Sequence, residues 1–191
     1  MSRIADSIDL RDYVKVYENI LSNDTCDSIL SWAKQLKDSD HASTGWEVAK
    51  SAVTNEQIEV TEHRTCHTTM FTQDHGVEYD VIQQKLQHIR ETYPYMHKAT
   101  FDTGLQLIRY QQGHKFKEHI DHYGGGQRTL TVIFLINDDY EGGHFTFWNN
   151  FYSLKNCVRG DAIVFPSNLC FPHQVKPITQ GVRYSLITWM L

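Results

Sequence analysis

The 191-residue chain lacks the features that mark several common classes of protein. Its four cysteines, Cys26, Cys66, Cys157 and Cys170, include no Cys-x-x-Cys pair. This argues against a zinc knuckle or a disulfide framework and favours free thiols in a reducing compartment. The chain has no apolar run of the roughly 20 residues that a membrane span needs, and no signal-peptide pattern at its N-terminus. We therefore expect a cytoplasmic protein with no membrane association.

Positive charge is also scarce, with 18 Lys and Arg against 23 Asp and Glu and a formal net charge of −5. This balance argues mildly against nucleic acid as the main partner. The hydrophobic content of 40% and the aromatic content of 12% are typical of a folded globule rather than a disordered chain. Because no repeat, low-complexity tract or linker divides the sequence, we predict a single domain over residues 1–191.

The first half of the chain, about 1–100, carries the helical patterns. Alternating residues over 12–20 predict a short strand. Cap-type residues followed by apolar positions at helical spacing predict a helix over 22–36, and a second helix is predicted over 78–93. The polar segment 38–63 between them predicts a loop, and a loop of that length in a small domain is often a lid or a binding segment.

The second half, about 101–191, has the pattern of short strands. These segments are rich in β-branched and aromatic residues and are separated by Gly, Asn-Asp and Pro. Strands at this spacing, with no predicted helices between them, indicate an antiparallel sandwich or jelly roll. We predict an α+β, mainly β fold, with the N-terminal helices packed on one sheet. The predicted strands lie at 103–111, 129–137, 142–148, 161–166, 173–178 and 182–191.

The tripeptide His119-Ile120-Asp121 is the first candidate for a metal site. A random chain with 11 histidines would contain about one His-x-Asp by chance, so the tripeptide alone proves nothing. Its segment alternates, however, which predicts that His119 and Asp121 point to the same face of a strand. His173 lies far enough along the chain to return on a neighbouring strand. Two histidines and one carboxylate on one face form the ligand set that suits Fe(II) and leaves coordination positions open.

Arg183 and Ser185 lie on another predicted strand, with the same i, i+2 spacing. A strand-borne arginine is a bidentate anchor for a carboxylate, and Ser185 on the same face can support it. Burying the guanidinium without an anionic partner would be costly, so a bound dicarboxylate explains its presence. His-x-Asp, then His, then Arg-x-Ser on successive strands is a much rarer pattern than His-x-Asp alone.

These motifs are similar to those of the Fe(II)- and 2-oxoglutarate-dependent oxygenases, and the chain resembles their prolyl-4-hydroxylase-like branch in its compact bacterial and phage form. The resemblance extends from about residue 21 to residue 190. It implies a double-stranded β-helix, the jelly roll of this family. The segments that carry it are "LSNDTCDSILSWAKQL", "HRTCHTTMF", "LIRYQQGHKFKEHIDH", "RTLTVIFLINDDYEGGHFTF", "GDAIVFPSN" and "PHQVKPITQGVRYSLITWM".

The resemblance implies a role for each matching residue. The triad His119, Asp121 and His173 would hold Fe(II). Arg183 would pair with the distal carboxylate of 2-oxoglutarate, with Ser185 in support. The resemblance also places Tyr110 at the co-substrate, Arg64 on the substrate side and Gly142-Gly143 at a turn near the mouth.

The chain departs from the family in two places. Many prolyl 4-hydroxylases have lysine where this chain has Arg183, and some relatives have a tyrosine where it has Leu135. Thr131 and Thr188 are alternative contributors to the co-substrate pocket. Asp121 is the carboxylate that related halogenases replace with a small residue, so hydroxylation is expected rather than halogenation.

Several neighbouring residues admit two interpretations. Arg64 is either a surface arginine or a substrate contact, and Trp148 is either a core residue or part of the substrate rim. His122 and His144 flank the proposed site, and each is expected to support a metal ligand or to lie on the surface rather than to bind the metal. The glycines at 124–126 predict either a plain turn or a mobile edge over the substrate.

The resemblance implies a dioxygenase that converts 2-oxoglutarate to succinate and CO2 while it hydroxylates a prolyl or other amino-acid side chain. Its cofactors would be Fe(II), 2-oxoglutarate and O2, with ascorbate as a reductant. One alternative is an oxygenase acting on a small metabolite, a free amino acid or a nucleotide. Another is a non-catalytic jelly-roll binding protein, because fold does not imply function. The sequence leaves the substrate and the oligomeric state open.

Overall fold

The computed structural model describes residues 8–49, 51–52, 57–58, 62–94, 101–122 and 127–191. The glycine run 124–126 and part of segment 38–63 lie outside these ranges. The described chain contains helices α1 (Asn23–Gln35) and α2 (Val77–Thr92) and 3₁₀ turns at Leu10–Tyr13 and Gln73–His75. The strands are β1 (Lys15–Tyr17), β2 (Glu47–Val48), β3 (Ser51–Ala52), β4 (Gln57–Ile58), β5 (His67–Phe71), β6 (Leu105–Tyr110), β7 (Phe116–His119), β8 (Leu130–Leu135), β9 (Glu141–Gly142), β10 (Phe145–Phe147), β11 (Tyr152–Leu154), β12 (Ala162–Pro166), β13 (His173–Val175), β14 (Ile178–Gln180) and β15 (Arg183–Met190).

Two antiparallel sheets organise the molecule. The larger has the strand order β1-β12-β8-β15-β6-β5-β2, and the smaller has the order β11-β10-β13-β7. Two further ribbons pair β9 with β14 and β3 with β4. Strands β1, β2 and β5, from the first half of the chain, complete the large sheet. The predicted mainly β jelly roll with helices on one sheet is confirmed.

The helices cover one face of the large sheet. Ser22 caps α1 by accepting a hydrogen bond from the backbone N–H of Thr25 at 3.1 Å. The predicted apolar stripe of α1 is buried, and Ile82, Leu86 and Ile89 of α2 join it in one cluster with alternate residues of the central strands. No helix among the described residues is long and apolar enough to cross a bilayer.

The other face of the large sheet packs against the small sheet. Every residue of β8 and β15 is buried, because each strand has covered faces on both sides. Val132 and Phe134 contribute to the helix-side cluster, whereas Ile133 and Leu135 contribute to the cluster between the sheets. This period of two decides which side chains can reach an internal site.

Two predicted elements in the first half differ from the structure. Over 12–20 the strand is only Lys15–Tyr17, because residues 10–13 form a 3₁₀ turn capped by Asp9 and Asn19 has a left-handed φ of 50°. The weakly patterned segment between the helices contains the short strands β2, β3 and β4. Trp46 in this segment is core: its side chain is fully buried and its Nε1 donates to the Ala33 carbonyl at 3.2 Å.

Gly142 ends β9 in a conformation that no other residue would adopt without strain. Its φ is +77°, and an added Cβ would overlap the carbonyl oxygen of Pro177 and lie 2.8 Å from the backbone nitrogen of Thr179. We expect Gly142→Ala to lower the free energy of unfolding by about 2–4 kcal/mol, from left-handed strain plus overpacking. Urea denaturation monitored by circular dichroism measures the loss.

Gly113→Ala is the matched control for this prediction. Gly113 has a φ of +81°, but nothing lies within 4 Å of an added Cβ. Only the strain of the left-handed backbone should therefore lower the free energy of unfolding of Gly113→Ala, by about 1 kcal/mol. Equal losses in the two variants would show that the contact of β9 with Pro177 and Thr179 contributes nothing.

Candidate metal centre

Three candidate ligands meet at the edge of the small sheet. His119 ends β7 and His173 begins β13, and the two residues are directly opposed in the antiparallel pair. Directly opposed residues share a face, so the imidazoles meet. Asp121 lies beyond the end of β7, so the prediction that it sits on the strand is wrong, yet its carboxylate reaches the same point. One ligand atom from each residue lies within 4.8 Å of the others.

Backbone carbonyls orient both imidazoles toward the carboxylate. His119 Nδ1 lies 2.8 Å from the Lys117 carbonyl oxygen, and His173 Nδ1 lies 3.0 Å from that of Phe171. A carbonyl oxygen only accepts, so each Nδ1 carries the proton and each Nε2 keeps its lone pair. The two Nε2 atoms each lie 3.5 Å from a carboxylate oxygen of Asp121. Both lone pairs are therefore available to one ion.

The electrostatics of the cluster favour the protonation states that bind metals. Burial raises the pKa of the Asp121 carboxyl, but the two imidazoles and the Thr131 hydroxyl outweigh it, and the pKa lies below its usual range. Burial lowers the pKa of His173 to about 4, against the opposing effect of Asp121. At neutral pH the carboxylate is ionised and the His173 imidazole is neutral, as metal coordination requires.

Aromatic rings stack on the two imidazoles and restrict their orientation. Phe116 stacks on His119 with 3.5 Å between ring centroids and 15° between planes. Phe145 stacks on His173 at 5.2 Å and 21°. The resulting set of two imidazoles and one carboxylate, without a thiolate, fits ferrous iron rather than a structural zinc site.

Arg183 supplies a buried cation in the same interior. Its side chain is buried, with the residue 2% exposed, and its Nη1 donates to the Ser185 hydroxyl at 3.0 Å. Its guanidinium carbon lies 5.6 Å from the Tyr110 ring centroid, and the two residues are register partners on β15 and β6. Among the described residues, no carboxylate pairs with Arg183 and its Nε has no hydrogen-bond partner. A dianionic keto acid fits this orphaned donor.

A cavity of about 610 Å³ joins these groups. Part of the 38–63 segment lies along it, through residues such as Glu47 and Val48. Burial raises the pKa of the Tyr110 phenol, so its hydroxyl remains a potential donor in the cavity wall. The predicted site residues that line the cavity are His119, Asp121, His173, Arg183, Ser185, Tyr110 and Arg64.

The two predicted substrate residues differ in position. Arg64 lines the cavity, with its guanidinium 4.8 Å from the Phe116 ring centroid and its Nε 3.2 Å from the Cys66 sulfur. Trp148 is not among the residues that line the cavity. Its Nε1 donates to the Cys170 carbonyl at 2.7 Å and its ring packs near Phe171. The structure brings Arg64 to the site and does not bring Trp148.

The two threonines proposed for the co-substrate pocket have other positions. Thr131 faces the cluster between the sheets and donates to Asp121 Oδ2 at 2.7 Å, so it contacts a candidate metal ligand. Thr188 is fully buried and alternates with Ile187 and Trp189, which face that cluster, so it points to the helix side. Leu135 is buried between the sheets.

Histidines near the cluster do not join it in the part of the chain that the structure describes. His122 is exposed, and its Nδ1 lies 3.2 Å from the Arg128 carbonyl oxygen. His144 lines a second cavity of about 510 Å³, which it shares with Arg183. The cluster of possible ligands among the described residues is His119, Asp121 and His173.

Sequence reasoning missed two groups that touch the site. Ser167 lies 2.9 Å from the Thr131 hydroxyl, and Cys66 accepts from Arg64 and contacts the Tyr110 phenol. Both residues are small, and neither belongs to a recognisable spacing motif. The alternation of β8 could have placed Thr131 on the inner face, but no local pattern brings Ser167 to it.

Comparison with known proteins finds a family match in the second half of the chain. The family model described as the 2OG-Fe(II) oxygenase superfamily matches residues 105–191. That range includes His119, Asp121, His173 and Arg183. Prolyl 4-hydroxylase 5 of Arabidopsis thaliana is 25% identical over 215 aligned positions, which cover 91% of this chain and 66% of the plant protein. The chain thus spans just under two thirds of that relative's length.

Solved structures share the fold at low identity. A prolyl hydroxylase of Trichoplax adhaerens, in complex with a hypoxia inducible factor peptide fragment, superposes with a TM-score of 0.76 and 16% identity, covering 94% of this chain and 83% of the other. The viral collagen prolyl hydroxylase of Paramecium Bursaria Chlorella virus-1, as a 2OG complex, gives 0.69 and 19%, covering 93% and 95%. These likenesses show a common fold.

Proposed function

We propose that the chain is a prolyl 4-hydroxylase-like 2OG-Fe(II) oxygenase, because that superfamily's model matches residues 105–191 and a prolyl 4-hydroxylase is 25% identical, and that it hydroxylates a prolyl or other amino-acid side chain. The activity would depend on Fe(II), 2-oxoglutarate and O2. One observation carries the proposal: the His119, Asp121 and His173 cluster shares a cavity with the buried Arg183. A metal cluster alone would also fit a structural site. A buried guanidinium beside it adds a place for a dicarboxylate.

The roles follow from the contacts of each residue. His119, Asp121 and His173 would hold the iron, and Arg183 would bind the distal carboxylate of 2-oxoglutarate through donors that Ser185 helps to orient. Together, iron and 2-oxoglutarate supply the oxidising chemistry: 2-oxoglutarate loses CO2, one atom of O2 enters succinate and the other becomes the hydroxyl of the product.

The chain itself positions and shields the reactants. Backbone carbonyls hold the imidazole tautomers, and the stacked Phe116 and Phe145 rings restrict imidazole rotation. Apolar side chains from both sheets line the cavity, Ile133 and Ile187 from the large sheet and Phe145 and Val175 from the small one. The residues that would hold the metal therefore face a cavity whose apolar walls would strengthen electrostatic interactions with a bound co-substrate.

The rim of the cavity supports a peptide as the substrate. Val48 and Ile120 line it and are 39% and 40% exposed, so they offer apolar contacts at the surface. Arg64 lines the same cavity and adds a cation. The Trichoplax neighbour was solved with a peptide fragment, which agrees with a peptide partner here. We further propose one oxygenase domain over 1–191, because strands from both halves share one sheet, and a cytoplasmic location, because all four cysteines are free.

The test is stimulation of 2-oxoglutarate turnover by candidate substrates. Protein, Fe(II), ascorbate and 2-oxoglutarate are mixed with proline-containing peptides, with the same peptides carrying alanine for proline, and with free amino acids, nucleotides and small metabolites. We expect succinate formation to rise with a proline peptide and not with its alanine partner. If only a small molecule stimulated succinate formation, the substrate would be that molecule rather than a peptide. Absence of succinate under every condition would favour the non-catalytic jelly-roll alternative.

A further inference from the structure

Thr131 makes the shortest side-chain hydrogen bond to the metal-site carboxylate. Its hydroxyl lies on β8, on the face between the sheets, 2.7 Å from Asp121 Oδ2. Thr131 is fully buried and Asp121 is 7% exposed. An ionised carboxylate only accepts hydrogen bonds, so the Thr131 hydroxyl must be the donor.

Ser167 fixes the direction of that hydroxyl. Its Oγ lies 2.9 Å from Thr131 Oγ1, and Ser167 is 1% exposed. Because Thr131 uses its one proton on Asp121, the Ser167 hydroxyl donates to Thr131. Two backbone bonds hold Ser167 in place: its N–H donates to the Thr129 carbonyl, and its carbonyl accepts from the N–H of His122. The result is a buried chain from Ser167 through Thr131 to one oxygen of Asp121.

The two oxygens of Asp121 therefore have different surroundings. Each oxygen lies 3.5 Å from one imidazole, Oδ1 from His119 Nε2 and Oδ2 from His173 Nε2. Oδ2 also accepts the Thr131 hydrogen bond, whereas Oδ1 accepts no hydroxyl proton from any residue that the structure describes. A metal bound by Oδ1 alone, with the two imidazoles, keeps about three coordination positions open. A metal chelated by both oxygens would keep one fewer open coordination position. A keto acid that chelates the metal through two atoms would then compete with the second carboxylate oxygen for a position.

We infer that Thr131, oriented by Ser167, is a positioning residue that keeps Asp121 bound to the metal through one oxygen. The free position that results is the one a chelating keto acid needs. This inference rests on the proposed function, because it concerns 2-oxoglutarate at the same site. It predicts that loss of the hydroxyl weakens binding of the keto acid more than binding of the metal.

The experiment separates the two binding steps with Mn(II) as the probe metal. Mn(II) affinity is measured from the electron paramagnetic resonance signal of the free ion. Affinity for 2-oxoglutarate is then measured by calorimetry on the Mn(II)-saturated protein without O2. Thr131→Val removes the hydroxyl and keeps the shape of the side chain. Thr131→Ser keeps the hydroxyl and removes the methyl group. Thr188→Val is the matched control: a buried threonine whose hydroxyl has no partner among the described residues, on the opposite face of the adjacent strand.

We expect Thr131→Val to lower the 2-oxoglutarate affinity of the loaded protein by about 10- to 100-fold, the usual loss for residues that support metal ligands, and to lower the Mn(II) affinity by a smaller factor. Thr131→Ser should return both values to those of the wild type, Ser167→Ala should give a smaller loss in the same direction, and Thr188→Val should change neither.

Two results would overturn the inference. A loss of Mn(II) affinity in Thr131→Val with unchanged keto acid binding would mean that the hydroxyl only orients the ligand. Changes in thermal stability alone would mean that it is merely structural. If the wild-type protein loaded with Mn(II) bound no 2-oxoglutarate, the proposed function itself would be wrong, and the variants would not be needed to see it.

Discussion

Asp121→Ala is expected to abolish iron-dependent turnover of 2-oxoglutarate. Asp121 supplies the single anionic ligand of the cluster, and the two remaining imidazoles would hold a divalent ion weakly. Loss of a residue that only supports a metal ligand typically lowers metal affinity or activity about 10- to 100-fold. Loss of the ligand itself should therefore reduce activity at least about 100-fold. Succinate formation with saturating Fe(II) and 2-oxoglutarate measures the effect.

Two controls make this result specific. Glu118→Ala removes an exposed carboxylate that bonds to the backbone of Asn149 rather than to the cluster, and should keep near wild-type turnover. Thermal unfolding of the metal-free proteins shows whether Asp121→Ala remains folded. Turnover near the wild-type level in a folded Asp121→Ala protein would remove the triad assignment.

Arg183→Ala is expected to raise the KM for 2-oxoglutarate steeply, with a smaller effect on the rate at saturation. The guanidinium is buried and would be fully desolvated around a bound carboxylate. Truncating one partner of such a buried charge pair costs about 2–5 kcal/mol of binding free energy. At about 1.4 kcal/mol for each factor of ten, the KM should rise about 30-fold or more. Arg183→Lys keeps the charge without the planar fork, and its KM should be intermediate.

A second co-substrate identifies the group that Arg183 binds. 2-Oxopentanoate has the chain length of 2-oxoglutarate but lacks the distal carboxylate. The wild-type protein should prefer 2-oxoglutarate strongly, and Arg183→Ala should lose most of that preference, because deleting either partner removes the same interaction. If the variant kept the full preference, the distal carboxylate would be bound elsewhere.

The sequence predicted the residue types of the site better than it predicted the backbone elements that carry them. The spacing of Arg183 and Ser185 predicted a shared face, and the 3.0 Å hydrogen bond between them confirms it. The same reasoning placed Asp121 on a strand, but β7 ends at His119 and the carboxylate reaches the cluster from the bend that follows. Alternation persists only as long as a strand does, and strand ends are set by partners elsewhere in the chain.

Residue types and local spacing, available in the sequence, determined the kinds of ligand, the helical stripes, the mainly β fold and the faces of the long strands. These follow from backbone periods of 2 and about 3.6 residues, which are properties of adjacent residues. Only the tertiary structure decided that His119 stands opposite His173, that Trp46 is core, and that Thr131 and Ser167 reach Asp121. Strand register and loop contacts join distant segments, and they depend on packing of the whole core rather than on any local pattern.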